Sequence, residues 1–282
     1  LWPNLSLKAA KRGIPVIQAN GRISSDTIKW GTQFPETFAK VTSGVEKFYM
    51  KSYYDAENLK KLGVSPEKIE VLGNLKFAGV PGEVEAFQTD RFPLLVAGSV
   101  RPGEFEPVLM AFKLVRDAYP EALLVMAPRH LKEVENIVEL IEENDFRATL
   151  RSEDASPEVT DVYVLDTMGE LLKFYAAADI AFVGGSLENF GGHNPLEPAS
   201  FARPVLFGPH TEANQEAYEI LLKRGGGRTV LDSRELADAS LELLADDDLR
   251  TEMGLKAREA VEAMNRIPAG YRKALKKWLI LP

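Results

Sequence analysis

The chain has 282 residues, of which 45% are hydrophobic and 27% are charged, a composition typical of a soluble globular protein with room for two domains. Its net charge is −8, and it has no cysteine, which excludes disulfide bonds and thiolate chemistry. It contains no run of 18 uncharged apolar residues, so no segment is expected to span a bilayer.

Short apolar runs alternate with amphipathic stretches in a first block of the chain. The elements predicted there are, in order, a helix that ends at Gly13, a strand at 14–20, a strand near Phe48, a helix from Ser52 or Asp55 to Gly63, and a strand at 68–74. A stretch rich in glycine, proline and charge follows at 78–93, and this composition indicates a linker.

The alternation then resumes in a second block. We predict strands at 92–99, 122–128, 161–167, 180–186 and 204–209, and helices at 106–119, 131–144, 168–178, 196–201, 212–223, 233–244, 248–264 and 269–279. Strands that alternate with helices of 10 to 15 residues indicate a parallel sheet in a doubly wound α/β fold. Two such blocks predict two such domains.

Ligands of open parallel sheets bind beyond the carboxyl ends of the strands. All three histidines of the chain, His130, His193 and His210, follow predicted strands of the second block. A single histidine is more often a structural hydrogen-bonding residue, but three in equivalent positions favour a binding site at this edge.

The segment GGSLENFGGHNPLEP, at 184–198, joins a strand to a predicted helix. Asn194 is placed to cap that helix, Pro195 to take its first position, and Leu196 and Glu197 to lie just inside it. Glycines next to a helix start suit a phosphate group. Two interpretations of Glu197 stay open, a carboxylate that favours the helix dipole and an acceptor for ribose hydroxyls.

Two further strand ends carry candidate ligand contacts. Pro128 and Arg129 end one strand, and the arginine either contacts a phosphate or forms a surface ion pair with Glu133. The next strand runs into Asp166 to Leu171, where Met168, Gly169 and Glu170 would frame a base. The alternative at that position is a capping box, with Thr167 as the cap and Glu170 three residues on.

Several common motifs are absent from the sequence. It has neither the glycine pattern of a dinucleotide site nor a P-loop, and no spacing of His, Asp and Glu resembles a metal site. We therefore expect metal-independent chemistry.

The chain resembles the 3-deoxy-D-manno-octulosonic acid (Kdo) transferases of Gram-negative bacteria in segments that follow the family's order from Leu1 to Asn214. They are LWPNL, GIPVIQANGRIS, VLGNLKF, APRH, DTMGELLKFYAAADIAFVGGSL and GGHNPLEPASFARPVLFGPHT. The resemblance implies a GT-B glycosyltransferase of two Rossmann-like domains, the N-terminal one incomplete. It also implies inverting, metal-independent transfer of Kdo from CMP-Kdo to a lipid A precursor in lipopolysaccharide biosynthesis. CMP-Kdo is then a substrate, and no cofactor is expected.

The resemblance also assigns roles to individual residues. The expected CMP contacts are Pro128, Arg129, Met168, Gly169, Glu170, Asn194, Pro195, Leu196 and Glu197. Lys76 matches a lysine that stabilises charge in the transition state, a role that electrostatics supports. Its other interpretation is an ordinary surface lysine at a strand end.

Four segments follow from the same resemblance. They are the remainder of an N-terminal acceptor domain at 1–79, a linker at 80–91, a C-terminal CMP-sugar-binding domain at 92–264, and a C-terminal helix at 265–282 that returns to the first domain. The family has a further N-terminal part with a membrane anchor and a catalytic glutamate. We therefore expect this chain to be a fragment that is soluble and inactive alone.

The chain departs from the family in two loops. Glu188, Asn189 and Phe190 stand where the family often has Val-Pro and a small or basic residue. GSVRPGE, at 98–104, stands where GST-H/R-x-GE is common. Both differences would tune the donor pocket or the sugar specificity.

Positive charge gathers at the two ends of the chain. Residues 1–76 hold 12 basic and 7 acidic residues, and 265–282 hold five basic residues and no acid. These ends are either solvated helix faces or surfaces for an anionic partner. The resemblance favours phosphorylated lipid A and the cytoplasmic face of the inner membrane, and no nucleic acid. Two alternatives remain, another GT-B enzyme that uses a UDP-sugar and a non-catalytic protein that binds a sugar nucleotide.

Overall fold

The computed structural model describes residues 3–75, 84–153 and 159–279. The chain divides into two compact units. The first unit comprises Leu1–Gly79 and Ala263–Pro282, and the second comprises Val80–Glu262.

The first unit is a three-stranded parallel sheet, in the order β1-β2-β3, with helices around it. Its elements are α1 (Pro3–Lys11), β1 (Ile17–Gly21), α2 (Ser25–Gln33), α3 (Pro35–Ser43), β2 (Lys47–Met50), α4 (Tyr53–Lys61), β3 (Ile69–Val71) and α12 (Ile267–Leu275). The sequence analysis did not predict α2 and α3. Each has only nine residues, and α2 depends on a local cap in which the Ser24 hydroxyl accepts a hydrogen bond from the backbone N–H of Thr27.

Helix α12 is tied to the sheet of the first unit by two tyrosines. The Tyr271 hydroxyl donates to the carbonyl of Gly73 at 3.0 Å and accepts from the backbone N–H of Asn20 at 3.2 Å. The Tyr49 hydroxyl donates to the carbonyl of Ala274 at 3.3 Å and accepts from the indole of Trp278 at 2.9 Å. Because these bonds join residues about 200 or more positions apart, the basic end of the chain belongs to the same unit as its basic beginning.

The second unit contains a seven-stranded parallel sheet in the order β10-β9-β8-β4-β5-β7-β6. Its strands are β4 (Leu94–Val100), β5 (Leu123–Pro128), β6 (Ala148–Leu150), β7 (Val162–Val164), β8 (Ile180–Val183), β9 (Val205–Phe207) and β10 (Gly227–Thr229). Its helices are α5 (Phe105–Ala118), α6 (Val134–Glu143), α7 (Leu171–Ala177), α8 (Leu196–Ser200), α9 (Gln215–Arg224), α10 (Ser233–Ala245) and α11 (Asp247–Asn265). The sequence analysis missed β6 and β10, which are outer strands of three residues each.

The direction of strand addition reverses between β4 and β8. From β4 the chain adds β5, then the edge strand β6, and then β7 between β5 and β6. It next crosses to the other side of β4 to add β8, β9 and β10 in order. Such a reversal opens a crevice beyond the carboxyl ends of the two central strands, where ligands of doubly wound sheets bind.

Both faces of this sheet are buried, which explains why its strands are continuous apolar runs. One face packs against α5 and α10 through residues such as Phe112 and Leu243, and the other packs against α7 through Phe174 and Tyr175. Phe87 of the proposed linker lies against this second face and packs on Phe174 with ring centroids 4.5 Å apart. Within the described ranges, no helix is long and apolar enough to cross a membrane.

A buried carboxylate, Asp161, precedes β7. It accepts hydrogen bonds from the Arg147 guanidinium and backbone and lies 2.7 Å from Nη2 of Arg116. Burial by itself raises the pKa of Asp161, but the hydrogen bonds from Arg147 and Arg116 outweigh it and hold the pKa at about 2, below the ordinary 3.8.

This pKa predicts how stability depends on pH. Since the folded-state pKa is depressed, the contribution of Asp161 is fully present above the unfolded-state value of 3.8 and is lost as the pH falls towards 2. Asp161→Asn should therefore lower the free energy of unfolding at pH 7 by about 2 kcal/mol. Urea unfolding of wild type and Asp161→Asn from pH 7 to pH 2.5 checks this. A difference in the free energy of unfolding that does not shrink as the pH falls would contradict it.

Candidate functional site

Four loops follow the adjacent strands β8, β4, β5 and β7 and together form one edge of the second unit's sheet. We call this the carboxyl edge, and it comprises residues 101–104, 128–130, 166–170 and 184–197. All nine residues expected to contact CMP lie on it: Pro128, Arg129, Met168, Gly169, Glu170, Asn194, Pro195, Leu196 and Glu197. Lys76 lies outside the described residues.

Arg129 stands at the end of β5 with its side chain exposed. Its backbone N–H donates to the carbonyl of Val100 at 2.9 Å, which joins the ends of β5 and β4. The surface ion pair with Glu133 is not present, because the Glu133 carboxylate lies 3.6 Å from Lys132 instead. In the described part of the chain the Arg129 guanidinium forms no ion pair with a carboxylate, which leaves its N–H groups available to an anion.

Glu170 is held firmly in the loop after β7. Its carboxylate accepts a hydrogen bond from the Thr167 hydroxyl at 2.5 Å and lies 3.3 Å from the Arg151 guanidinium. The pKa of Glu170 is lowered, first by the Thr167 hydrogen bond and then, against the effect of burial, by Arg151. The predicted capping box was wrong in its geometry: α7 begins only at Leu171, so Thr167 pairs with Glu170 through its side chain and caps no helix.

The neighbouring Met168 side chain is 75% exposed, and Gly169 adopts a φ of 86°, a conformation that favours glycine. The loop thus presents an uncovered thioether beside a fixed carboxylate. A flat apolar group such as a base can lie against this surface.

Helix α8 is shorter than the sequence suggests, since it runs only from Leu196 to Ser200. Pro195 is its N-cap, so the predicted cap at Asn194 was one residue early. The Asn194 amide oxygen nevertheless accepts from the backbone N–H of Leu196 at 3.2 Å, and its Nδ2 donates to Glu197 at 3.2 Å. A helix of five residues has a small dipole, and one of its first N–H groups is already occupied.

Glu197 is half-buried at the start of α8. Burial raises the pKa of Glu197, while the Asn194 hydrogen bond and the charge of Arg129 act in the opposite direction. A carboxylate that is partly desolvated and close to one cation is prepared to accept hydrogen bonds from hydroxyl groups.

Sequence reasoning missed Glu104, the best-connected carboxylate of the carboxyl edge. Its side chain is fully buried and accepts backbone N–H bonds from Arg101 at 2.9 Å, Gly185 at 2.7 Å, and Ser186 and Leu187 at 2.8 Å each. This one side chain therefore fixes the loop after β8 against the loop after β4. The sequence signal was only a glutamate in GSVRPGE, and nothing local distinguishes it from a surface acid.

A cluster of cations and imidazoles lies beside Glu104. Nη1 of Arg101 is 2.6 Å from Nε2 of His130, and the Arg101 guanidinium lies 4.2 Å from the Phe190 ring centroid. His193 lies close enough that burial first, and then the charges of Arg129, Arg101 and His130, lower its pKa to about 4. His193 is therefore neutral at physiological pH, in surroundings that are positive.

His210 does not join this cluster. Its backbone N–H donates to the carbonyl of Ser186 at 2.9 Å, and its ring lies 3.9 Å from the Glu212 carboxylate. Two of the three histidines therefore face the cluster, and the third has a local partner.

An apolar cavity lies in the core of the second unit, between β4 and helices α5 and α10, and is lined by residues such as Phe112, Phe182 and Leu236. No residue of the carboxyl edge lines it. Among the described residues, no three His, Asp or Glu side chains are grouped to hold a metal ion.

Comparison with known proteins identifies the family of the chain. Residues 1–79 match the family model described as 3-deoxy-D-manno-octulosonic-acid transferase (kdotransferase). The 3-deoxy-D-manno-octulosonic acid transferase of Haemophilus influenzae is 33% identical over 249 residues, which cover 85% of this chain and 57% of that protein. The chain belongs to the Kdo transferase family. It spans about half the length of most of the curated relatives it matches.

Solved structures extend the likeness to the fold. The C-terminal CMP-Kdo-binding domain of WaaA from Acinetobacter baumannii superposes with a TM-score of 0.58 at 25% identity, over 61% of this chain and 91% of that one. The UDP-GlcNAc 2-epimerase of Neisseria meningitidis also superposes with a TM-score of 0.58, at 15% identity over 96% of this chain and 72% of that one, which shows the fold alone. The prediction of an α/β fold of the GT-B type is confirmed, as is the family resemblance.

Proposed function

We propose that this Kdo transferase family member takes part in lipopolysaccharide biosynthesis by transferring Kdo from CMP-Kdo to a lipid A precursor at the cytoplasmic face of the inner membrane. The second unit binds the donor at its carboxyl edge. The reaction inverts the anomeric centre and uses neither a metal ion nor a cofactor.

The observation that carries this proposal is the exposed Arg129 guanidinium, which forms no ion pair within the described residues and lies on the same edge of the sheet as Glu170 and Glu197. In this arrangement Arg129 contacts the phosphate of CMP, Glu197 accepts from the ribose hydroxyls, and Met168, Gly169 and Glu170 frame the cytosine. Pro128, Asn194, Pro195 and Leu196 complete the surface around the nucleotide. The CMP-Kdo-binding domain of WaaA supports this choice of nucleotide, and the H. influenzae relative supports Kdo as the sugar.

The reaction is then a single displacement. An acceptor hydroxyl loses its proton to a base and attacks the anomeric carbon of Kdo, and the bond from that carbon to the phosphate oxygen breaks as CMP leaves. Negative charge grows on the departing phosphate, and Arg129 offsets it. We assign Lys76 a supporting role in the same charge stabilisation, following the family resemblance.

The acceptor and the membrane belong to the first unit in this proposal. Its sequence is basic at both ends of the chain, and the tyrosine contacts of α12 hold those ends in one unit. A positive surface suits the phosphates of a lipid A precursor and an anionic membrane. We thus assign 1–79 and 265–282 to the acceptor side, 80–91 to a linker and 92–264 to the donor side.

Nucleotide selectivity tests this proposal. Calorimetric titration of the chain with CMP and with UDP should show CMP binding at least about tenfold more tightly, a difference of about 1.4 kcal/mol. Tighter binding of UDP would assign the site to a UDP-sugar enzyme. Binding of neither nucleotide would leave a fold without a donor site and would refute the proposal.

A further inference from the structure

The carboxyl edge holds two arginines, one more than the contact with a single phosphate requires. Arg129 and Arg101 follow the neighbouring strands β5 and β4, and no carboxylate in the described part of the chain forms an ion pair with either guanidinium. Each has an imidazole close by, His193 near both and His130 against Arg101. Like charges in such proximity repel one another, so the arrangement is stable only with an anion or at a cost.

The polar groups of this cluster are also incompletely satisfied. Nε of Arg101 and Nε2 of His193 are buried and have no hydrogen-bond partner among the residues that the structure describes. Buried polar atoms are almost always paired in folded proteins, and exceptions point to a missing ligand or to a functional role. The two unpaired atoms therefore lie in the same cluster as the two arginines that form no ion pair.

Arg101 is oriented before any ligand arrives. The Phe190 ring lies 4.2 Å from its guanidinium carbon, and the backbone N–H of Arg101 is fixed by the buried carboxylate of Glu104. A guanidinium held in place loses less side-chain entropy when it forms a forked pair with a carboxylate. Arg101 stands where the family's pattern has His or Arg, and Phe190 lies in a loop where this chain departs from that pattern.

We propose that Arg101, with His130 and His193, forms a second anion subsite that binds the carboxylate of the donor's sugar and so selects an acidic sugar. This inference rests on the proposed function and deepens it. The anomeric carbon of Kdo bears both its carboxylate and the bond to CMP, so the donor presents two anionic groups side by side. Since Val100 pairs with Pro128 and neighbouring strands lie about 4.8 Å apart, the backbones of Arg101 and Arg129 leave the sheet side by side.

The base, the phosphate and the sugar carboxylate of the donor can follow the order of three adjacent strands. The loop after β7 would face the base, Arg129 after β5 the phosphate, and Arg101 after β4 the sugar carboxylate. The ribose does not follow this order, because Glu197 comes after β8, on the far side of β4. Glu197 lies close enough to Arg129 for their charges to interact, and this proximity places the ribose beside the phosphate.

The test compares three ligands by calorimetry on the full chain: CMP, CMP-Kdo and the methyl ester of CMP-Kdo, in which the sugar carboxylate is neutral. Wild type should bind the acid about 10- to 100-fold more tightly than the ester. Arg101→Met should remove this preference and leave the affinity for CMP within about threefold. Arg101→Lys, which keeps the charge but not the fork, should retain part of the preference.

The control is Arg234→Met, which removes an exposed arginine of α10 and should preserve the preference for the acid. The carboxylate subsite is refuted if Arg101→Met prefers the acid over the ester as wild type does, or if it weakens the binding of CMP as much as that of CMP-Kdo. In either case, binding of CMP by wild type still supports the donor site. If wild type binds no CMP, the proposed function fails and this inference with it. Thermal unfolding of each variant verifies folding, and Arg101→Lys decides the question if Arg101→Met does not fold.

Discussion

Replacing Glu104 with alanine should lower the free energy of unfolding of the second unit by about 4 kcal/mol. The carboxylate is fully buried and accepts four backbone N–H bonds, from Arg101, Gly185, Ser186 and Leu187. Alanine leaves these donors without a partner in the protein, and each buried unpaired donor costs about 1–3 kcal/mol. Water that enters the space left by the side chain recovers part of this cost. Urea unfolding measures the change.

Glu106→Ala provides the matched control for this variant. Glu106 lies two positions further along the chain, in the first turn of α5, and its side chain is exposed. Its removal should change the free energy of unfolding by no more than about 0.5 kcal/mol. Equal effects of Glu104→Ala and Glu106→Ala would contradict the role of Glu104 in fixing the two loops.

Arg129→Met should weaken CMP binding by about tenfold or more, because the variant loses the one guanidinium assigned to the phosphate. Glu197→Gln should weaken it by about tenfold, since an amide is a poorer acceptor for ribose hydroxyls than a carboxylate. Calorimetric titration of each variant with CMP gives both values.

Lys132→Met is the control for Arg129→Met. Lys132 is three positions away, its side chain is 77% exposed, and it lies beside Glu133. Its removal changes the net charge equally, so it should reduce CMP affinity only through the long-range field, which salt screens. Unchanged CMP affinity in both Arg129→Met and Glu197→Gln would overturn the assignment of the site.

The sequence predicted those helices and strands whose pattern or cap is set by residues close along the chain. Strand β5 is an uninterrupted apolar run because helices cover both faces of the sheet, and the cap of α4 at Ser52 is readable from local spacing. Strands β6 and β10 were missed because three residues at a sheet edge carry too short a pattern to be recognised.

The candidate site could also be predicted only in part. Arg129 and Glu197 were assigned to it because strand ends share one edge of a parallel sheet, and the family resemblance supplied the expected ligand. Glu104 was missed because its partners at 185–187 are about 80 positions away. The pairing of Arg101 with His130 and Phe190 likewise exists only once β4, β5 and β8 are side by side.

A crystal structure of the chain grown with CMP tests the central claim most directly, because it locates the nucleotide. The account predicts the phosphate at Arg129, the ribose at Glu197, and the cytosine over Met168 and Gly169, beyond the carboxyl ends of β5 and β7. CMP bound elsewhere on either unit, with Arg129 and Glu197 free of it, would contradict the account.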